Sequence, residues 1–121
     1  MKKIRLMFAA SLVTLLVGCG SDSTVDIVRN GILDGCPDKT VGQMATGFMA
    51  SPKWQSLVAQ DGQTYVNLTG GITFDNKPAT ALVQFQVNTN NQRFQLNALE
   101  INGSPTSQLV ALVMLDKMCE S

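Results

Sequence analysis

Between residues 64 and 101 the apolar side chains fall on alternate positions, and this period of two limits the possible folds more than any other feature. Val66, Leu68, Ile72 and Phe74 alternate with Tyr65, Asn67, Thr69 and Thr73. Ala81, Val83, Phe85 and Val87 alternate with Gln84 and Gln86. Successive side chains of a strand point to opposite faces, so each run predicts a strand with one buried and one wet face. Gly70-Gly71 interrupts the first run and predicts a bulge or bend there. Asp75-Asn76-Lys77-Pro78 and Asn88 to Asn91 read as turns. From Arg93 to Ile101 the apolar phase slips, from Phe94 and Leu96 to Leu99 and Ile101, which predicts a bulge near Ala98. Trp54 to Ala59 supplies a first strand, closed by the hairpin signal Asp61-Gly62. Neighbours in sequence pair in space, so the expectation is a four-stranded antiparallel meander.

Helical patterns flank the strands. Thr40 with Gln43 three positions on matches a capping box. Val41, Met44, Phe48 and Met49 follow at helical spacing, and Ser51-Pro52 is expected to end that helix. Gly42 and Gly47 weaken it by up to about 1 kcal/mol each, which points to close packing against a neighbour rather than to a hinge. Val25 to Gly31 reads as a short helix capped by Ser23 or Thr24, with a strand as the rival. Ser104 reads as the N-cap of a last helix with Pro105 at its first position. Leu109 to Leu115 is apolar nearly all round, so that helix is either buried on most sides or meets another chain. The predicted class is α+β with two layers. N-terminal helical segments precede the meander, and the C-terminal helix packs on one face of the sheet.

The N-terminus carries a different message. Lys2, Lys3 and Arg5 precede an apolar run of about 12 residues, Leu6 to Val17, where roughly 20 would be needed to span a bilayer. That is the pattern of an export signal. Leu16-Val17-Gly18-Cys19 resembles the bacterial lipobox. The resemblance implies removal of residues 1–18 and lipidation of Cys19; the small, polar stretch up to Thr24 makes residues 19–24 read as a tether, and the remaining length suits one domain, 25–121. Several acyl chains hold a protein durably on a membrane, each buried CH₂ contributing roughly 0.8 kcal/mol. Gly20 rather than Asp follows Cys19, and in the Gram-negative pattern this implies the outer membrane, facing the periplasm.

Charge narrows the partners. Residues 1–18 hold three of the nine basic residues and none of the nine acidic ones, so the remainder carries about −3. Nucleic acid demands a basic face, so it is not an expected partner. With Cys19 lipidated, Cys36 and Cys119 remain, and an even pair in an exported chain reads as a disulfide. Their separation of 83 residues predicts up to about 4 kcal/mol of stabilisation on the chain-entropy argument. The chain has no His and no CxxC, so neither a metal centre nor a redox pair is expected.

Two likenesses follow. Val28-Arg29-Asn30-Gly31, Cys36-Pro37, Thr40-Val41-Gly42, Phe48, Ser51-Pro52-Lys53-Trp54, Gly70-Gly71, Ala81-Leu82-Val83-Gln84-Phe85 and Leu99 to Pro105 form an ordered set. Together they are similar to a small uncharacterised envelope domain of bacterial exported proteins, which implies a fold and a location rather than an activity. The Val28–Gly31 turn before Thr40 also resembles small outer-membrane lipoproteins of the BamE/OmlA kind, which act as accessory subunits in protein assembly. The fourth strand and the C-terminal helix depart from that pattern.

Catalytic signatures are missing from the chain. It has no SxxK, no GxGxxG and no P-loop, and its carboxylates fall mostly in predicted turns, where Asp serves the backbone. No enzyme activity and no cofactor are expected. The candidate binding residues are Trp54, Asn67, Thr69, Gln84 and Gln86, although a lone Trp beside a helix end is more often part of the core. With Thr73, Gln95 and Asn97, the polar members would form an amide-rich sheet face able to take a peptide or glycan, or simply a wet face. The expected function is a membrane-anchored, non-enzymatic accessory module that binds an envelope protein. The alternative is a lysozyme-inhibitor-like or other periplasmic ligand-binding lipoprotein.

Overall fold

The computed structural model describes residues 22–121, and Cys19 with the whole export signal lies outside them. Helix α1 is Asp22–Arg29 and α2 is Val41–Phe48. Strands β1 (Ala50–Val58), β2 (Thr64–Phe74), β3 (Lys77–Asn88), β4 (Arg93–Ile101) and β5 (Ser104–Pro105) follow, and α3 (Gln108–Glu120) ends the chain. The strands form one antiparallel sheet in the order β1-β2-β3-β4-β5. The α+β class and the meander agree with the sequence reading, but the sheet has five strands, not four.

The fifth strand has a clear cause. Asn102 and Gly103 both adopt positive φ, at 53° and 81°. Two such residues make the tight turn whose twist matches a hairpin. Ser104 and Pro105 therefore fold back to pair with Ile101 and Glu100. The N-cap of α3 moves to Ser107, whose Oγ accepts from the Val110 N–H at 3.2 Å. The β2–β3 hairpin uses the same device, with Asp75 and Asn76 at φ 56° and 63°.

Both bulges can be located by register. Between the pairs Gln84↔Ala98 and Phe85↔Leu96, β4 has one extra residue, Asn97, where the phase slip predicts it. Gly70-Gly71 is not a bulge, because β2 and β3 stay in register through Gly70↔Ala81 and Gly71↔Thr80. The irregularity lies in the facing strand, between Ala50 and Lys53, where Ser51 takes φ 51°. β1 thus begins almost directly after α2 and includes Ser51-Pro52, rather than starting at Trp54.

The helices and the inner sheet face share the core. Val66, Leu68, Ala81, Val83, Phe85, Val87, Leu99 and Ile101 meet Val25 and Val28 of α1, Val41, Met44 and Ala45 of α2, and Ala111, Met114 and Met118 of α3. Helix α1 opens at Asp22 and buries Thr24 and Val25, so folded structure begins inside the stretch read as a tether. The helix reading of this segment holds over the strand reading, but Ser23 and Thr24 lie within the helix rather than capping it. Thr40 caps α2 through the expected box: its Oγ1 accepts from the Gln43 N–H at 3.1 Å, while the Thr40 N–H donates to Gln43 Oε1 at 2.8 Å.

The two helical glycines differ in their surroundings. A Cβ on Gly42 would stand 2.9 Å from the Arg29 carbonyl oxygen, whereas one on Gly47 would meet only Ser121 at 3.5 Å. Gly42→Ala is expected to destabilise by about 1–3 kcal/mol, because backbone must move. Gly47→Ala is expected to stabilise by about 0.5 kcal/mol through helix propensity. Urea midpoints of the two variants, measured side by side, check the opposite signs.

Candidate functional site

The helices cover one face of the sheet, and the other carries most of the residues singled out from the sequence. Register places Asn67 opposite Gln84, Tyr65 opposite Gln86 and Thr69 opposite Leu82, so all six share the uncovered face. Gln84 Nε2 donates to Asn67 Oδ1 at 2.9 Å, and Asn97 Nδ2 donates to Gln84 Oε1 at 2.7 Å. The amides of β2, β3 and β4 are thus joined in a ladder, with the bulge turning Asn97 toward its partner. Gln86 Nε2 donates to Gln63 Oε1 at 2.7 Å, and Gln95 stands opposite Gln86. Cross-strand pairs of this kind stabilise a sheet. Much of the hydrogen-bonding capacity that would recognise a ligand is used within the face itself.

Trp54 does not belong to this face. It pairs with Leu68, whose side chain is buried, so the indole lies on the helical side. There it packs half-buried against the core and lines a shallow recess with Arg29, Thr40, Gly42, Gln43 and Thr46. From Trp54 to Val58 the register with β2 is unbroken, and it puts Trp54 on the same face as the buried Ser56.

Tyr65 gives the uncovered face a spectroscopic handle, since the chain contains a single tyrosine. Burial of the phenol, then the nearby Asp61 carboxylate, raises its pKa above the ordinary 10.0. The neutral phenol is thus favoured by folding. Stability from this group is fully present below pH 10 and is lost as pH climbs through the folded-state value. Tyrosinate absorbance of the folded protein is expected to reach its midpoint above pH 10, and Tyr65→Phe to remove that share of alkaline sensitivity. A midpoint at or below 10 contradicts it.

A second feature lies at the sheet margin, on the helical side. Ile32, Leu33, Asp34 and Cys36 from the α1–α2 loop, Phe94 and Leu96 from β4, and Leu112, Leu115 and Asp116 from α3 line a groove of about 430 Å³. Cys36 and Cys119 stand at disulfide distance, 2.06 Å between sulfurs, with Cα atoms 5.7 Å apart. This link ties the loop wall of the groove to the end of the helix that forms the other wall. Sequence reading missed the groove because Ile32 and Phe94 are distant in the chain. Its one signal was the excess of apolar residues on the last helix.

Among the described residues no three His, Cys, Asp or Glu side chains gather as a metal site, and no helix is long and apolar enough to cross a membrane. What the geometry provides is contact surface: an amide ladder on one side and an aliphatic groove on the other. No protein-family model matches this chain, nor does any curated protein or solved structure.

Proposed function

We propose that this chain is a membrane-anchored envelope lipoprotein, a non-enzymatic module that binds another envelope protein. The observation that carries the binding part is the outer side of α3. Leu109, Leu112 and Val113 are 71%, 53% and 49% exposed. Positions i, i+3 and i+4 lie together on a helix, so these form one apolar patch, and such patches mark interaction sites. The sequence Leu16-Val17-Gly18-Cys19 supports the anchor, and Gly20 supports the outer membrane. Helix α1 begins three residues beyond Cys19. At about 3.5 Å per extended residue, the fold would ride within roughly 11 Å of its lipid. Its partner would then be in, or against, the same membrane.

The test uses the full-length chain expressed in a bacterial envelope. Mass spectrometry of its N-terminal peptide is expected to show diacylglyceryl on Cys19, and Cys19→Ala is expected to release the protein from the membrane fraction. A photo-crosslinker at Leu109 is expected to capture one reproducible envelope protein in intact membranes. An uncleaved precursor in the cytosol would defeat the anchor. Absence of any reproducible crosslink would defeat the binding module.

A further inference from the structure

We propose that the outer edge of β4 from Arg93 to Leu96, with the groove beside it, takes an extended peptide segment bearing basic residues, which adds to the sheet as a strand. The proposal rests on the reading of this chain as a protein-binding module and names how its partner is held.

Three observations point there. The first is an open edge. β3 covers one side of β4 along its whole length. Among the described residues, the other side is paired only at its far end, where β5 meets Glu100 and Ile101 and the Thr106 N–H donates to the Leu99 carbonyl at 2.9 Å. Arg93 to Leu96 therefore presents backbone donors and acceptors along one side, and the bulge at Asn97 ends the run. An open edge of this kind is a template for a further strand.

The second is the groove itself. Phe94 and Leu96 point to the helical side, where Ile32, Leu112 and Leu115 continue the apolar surface past the sheet margin. Every second side chain of an added strand would point to that side. A volume of about 430 Å³ falls within the range of about 300–1,000 Å³ typical of ligand clefts. The Cys36–Cys119 link holds the two walls in place, which limits the ordering cost of binding.

The third is charge, and it selects the occupant. Asp34 and Asp116 stand on the groove lining and no Lys or Arg lines it, since Arg93 at the start of the edge falls on the face of β4 opposite to Phe94 and Leu96. A segment with basic residues flanking its apolar positions complements that rim. A second copy of this chain does not. A two-fold contact presents the same patch from both sides, so the carboxylates would meet carboxylates.

The experiment uses the full chain in detergent and a fluorescent heptapeptide of alternating valine and threonine with lysine at each end. Anisotropy is expected to show saturable binding. Leu112→Glu, at an exposed position, is expected to weaken it about tenfold or more, with circular dichroism and melting temperature unchanged. Asp34→Asn with Asp116→Asn is expected to weaken binding several-fold and to flatten its salt dependence. N-methylation of alternate peptide nitrogens is expected to abolish binding in one parity and spare it in the other, because only every second amide faces β4. Equal binding by both methylated peptides overturns strand addition. So does absence of saturable binding, or a dimer that Leu112→Glu dissociates. If crosslinking in membranes still captures a partner with Leu112→Glu while the peptide never binds, strand addition fails and the module reading survives. If the wild type captures no partner, the module reading fails.

Discussion

Cys36→Ala is expected to lower the melting temperature by roughly 15–30 °C, and Cys119→Ala by the same amount. The two residues are 83 positions apart, so the bridge removes a large share of the unfolded chain's freedom. Chain-entropy arguments put this at about 4 kcal/mol, against a total stability of about 5–15 kcal/mol for a domain of this size. Cys36 is buried at the rim of the core, and Cys119 ends α3. The link therefore joins the first helical half of the domain to its last element. The double variant should melt with either single one, since each alone removes the whole bridge. Thermal melts without reductant, repeated for the wild type with reductant, check this. Single variants that differ by ten degrees or more would show that the two cysteines act independently. Reduction should also weaken peptide binding at the β4 edge, because it frees one wall of the groove.

Phe85→Ala is expected to cost about 3–5 kcal/mol. Phe85 is 1% exposed and is the largest of the fully buried side chains. Its ring meets that of Phe94 edge to face, with centroids 5.9 Å apart and planes at 81°. Truncation leaves a cavity under the helices and removes that ring pair, worth about 0.5–1.5 kcal/mol in its own right. The urea midpoint should fall steeply. Phe85→Leu, which keeps most of the volume, should cost under half as much. Phe74→Ala is the control. Phe74 is 44% exposed at the end of β2, so its loss should stay within about 0.5 kcal/mol. Phe74 shares the inner face with Val66 and Leu68 but lies at the strand end, so a similar loss at both positions would mean that the core extends as far as Phe74.

Much of this architecture was legible in the residues because it depends on short-range rules. Alternation along Val66–Leu68 and Ala81–Val87 assigns faces by strand geometry alone, and the structure buries those residues. The phase slip in Arg93–Ile101 located the Asn97 bulge for the same reason. Thr40 and Gln43 satisfy each other within one turn, so their box needs no tertiary partner. The readings that failed are those where a local pattern fits two outcomes. Asn102 to Pro105 suits a helix start as well as a hairpin, and the pairing with Glu100 and Ile101 decided it. Gly70-Gly71 suits a bulge as well as close approach. A Cβ on Gly70 would lie 2.8 Å from that of Met49, so packing against the α2–β1 corner explains the residue.

By itself, the sequence determined the α+β class, the meander order and the face of each regular strand, because alternation and turn chemistry act over a few residues. Only the tertiary structure decided that Asn67, Gln84 and Asn97 bond to one another, that Leu109, Leu112 and Val113 stay exposed, and that Ile32, Phe94 and Leu112 share a groove beside an open strand edge. Those facts depend on how α3 crosses the sheet and where β5 stops. Both are set by contacts between residues distant in the chain, which no local period records.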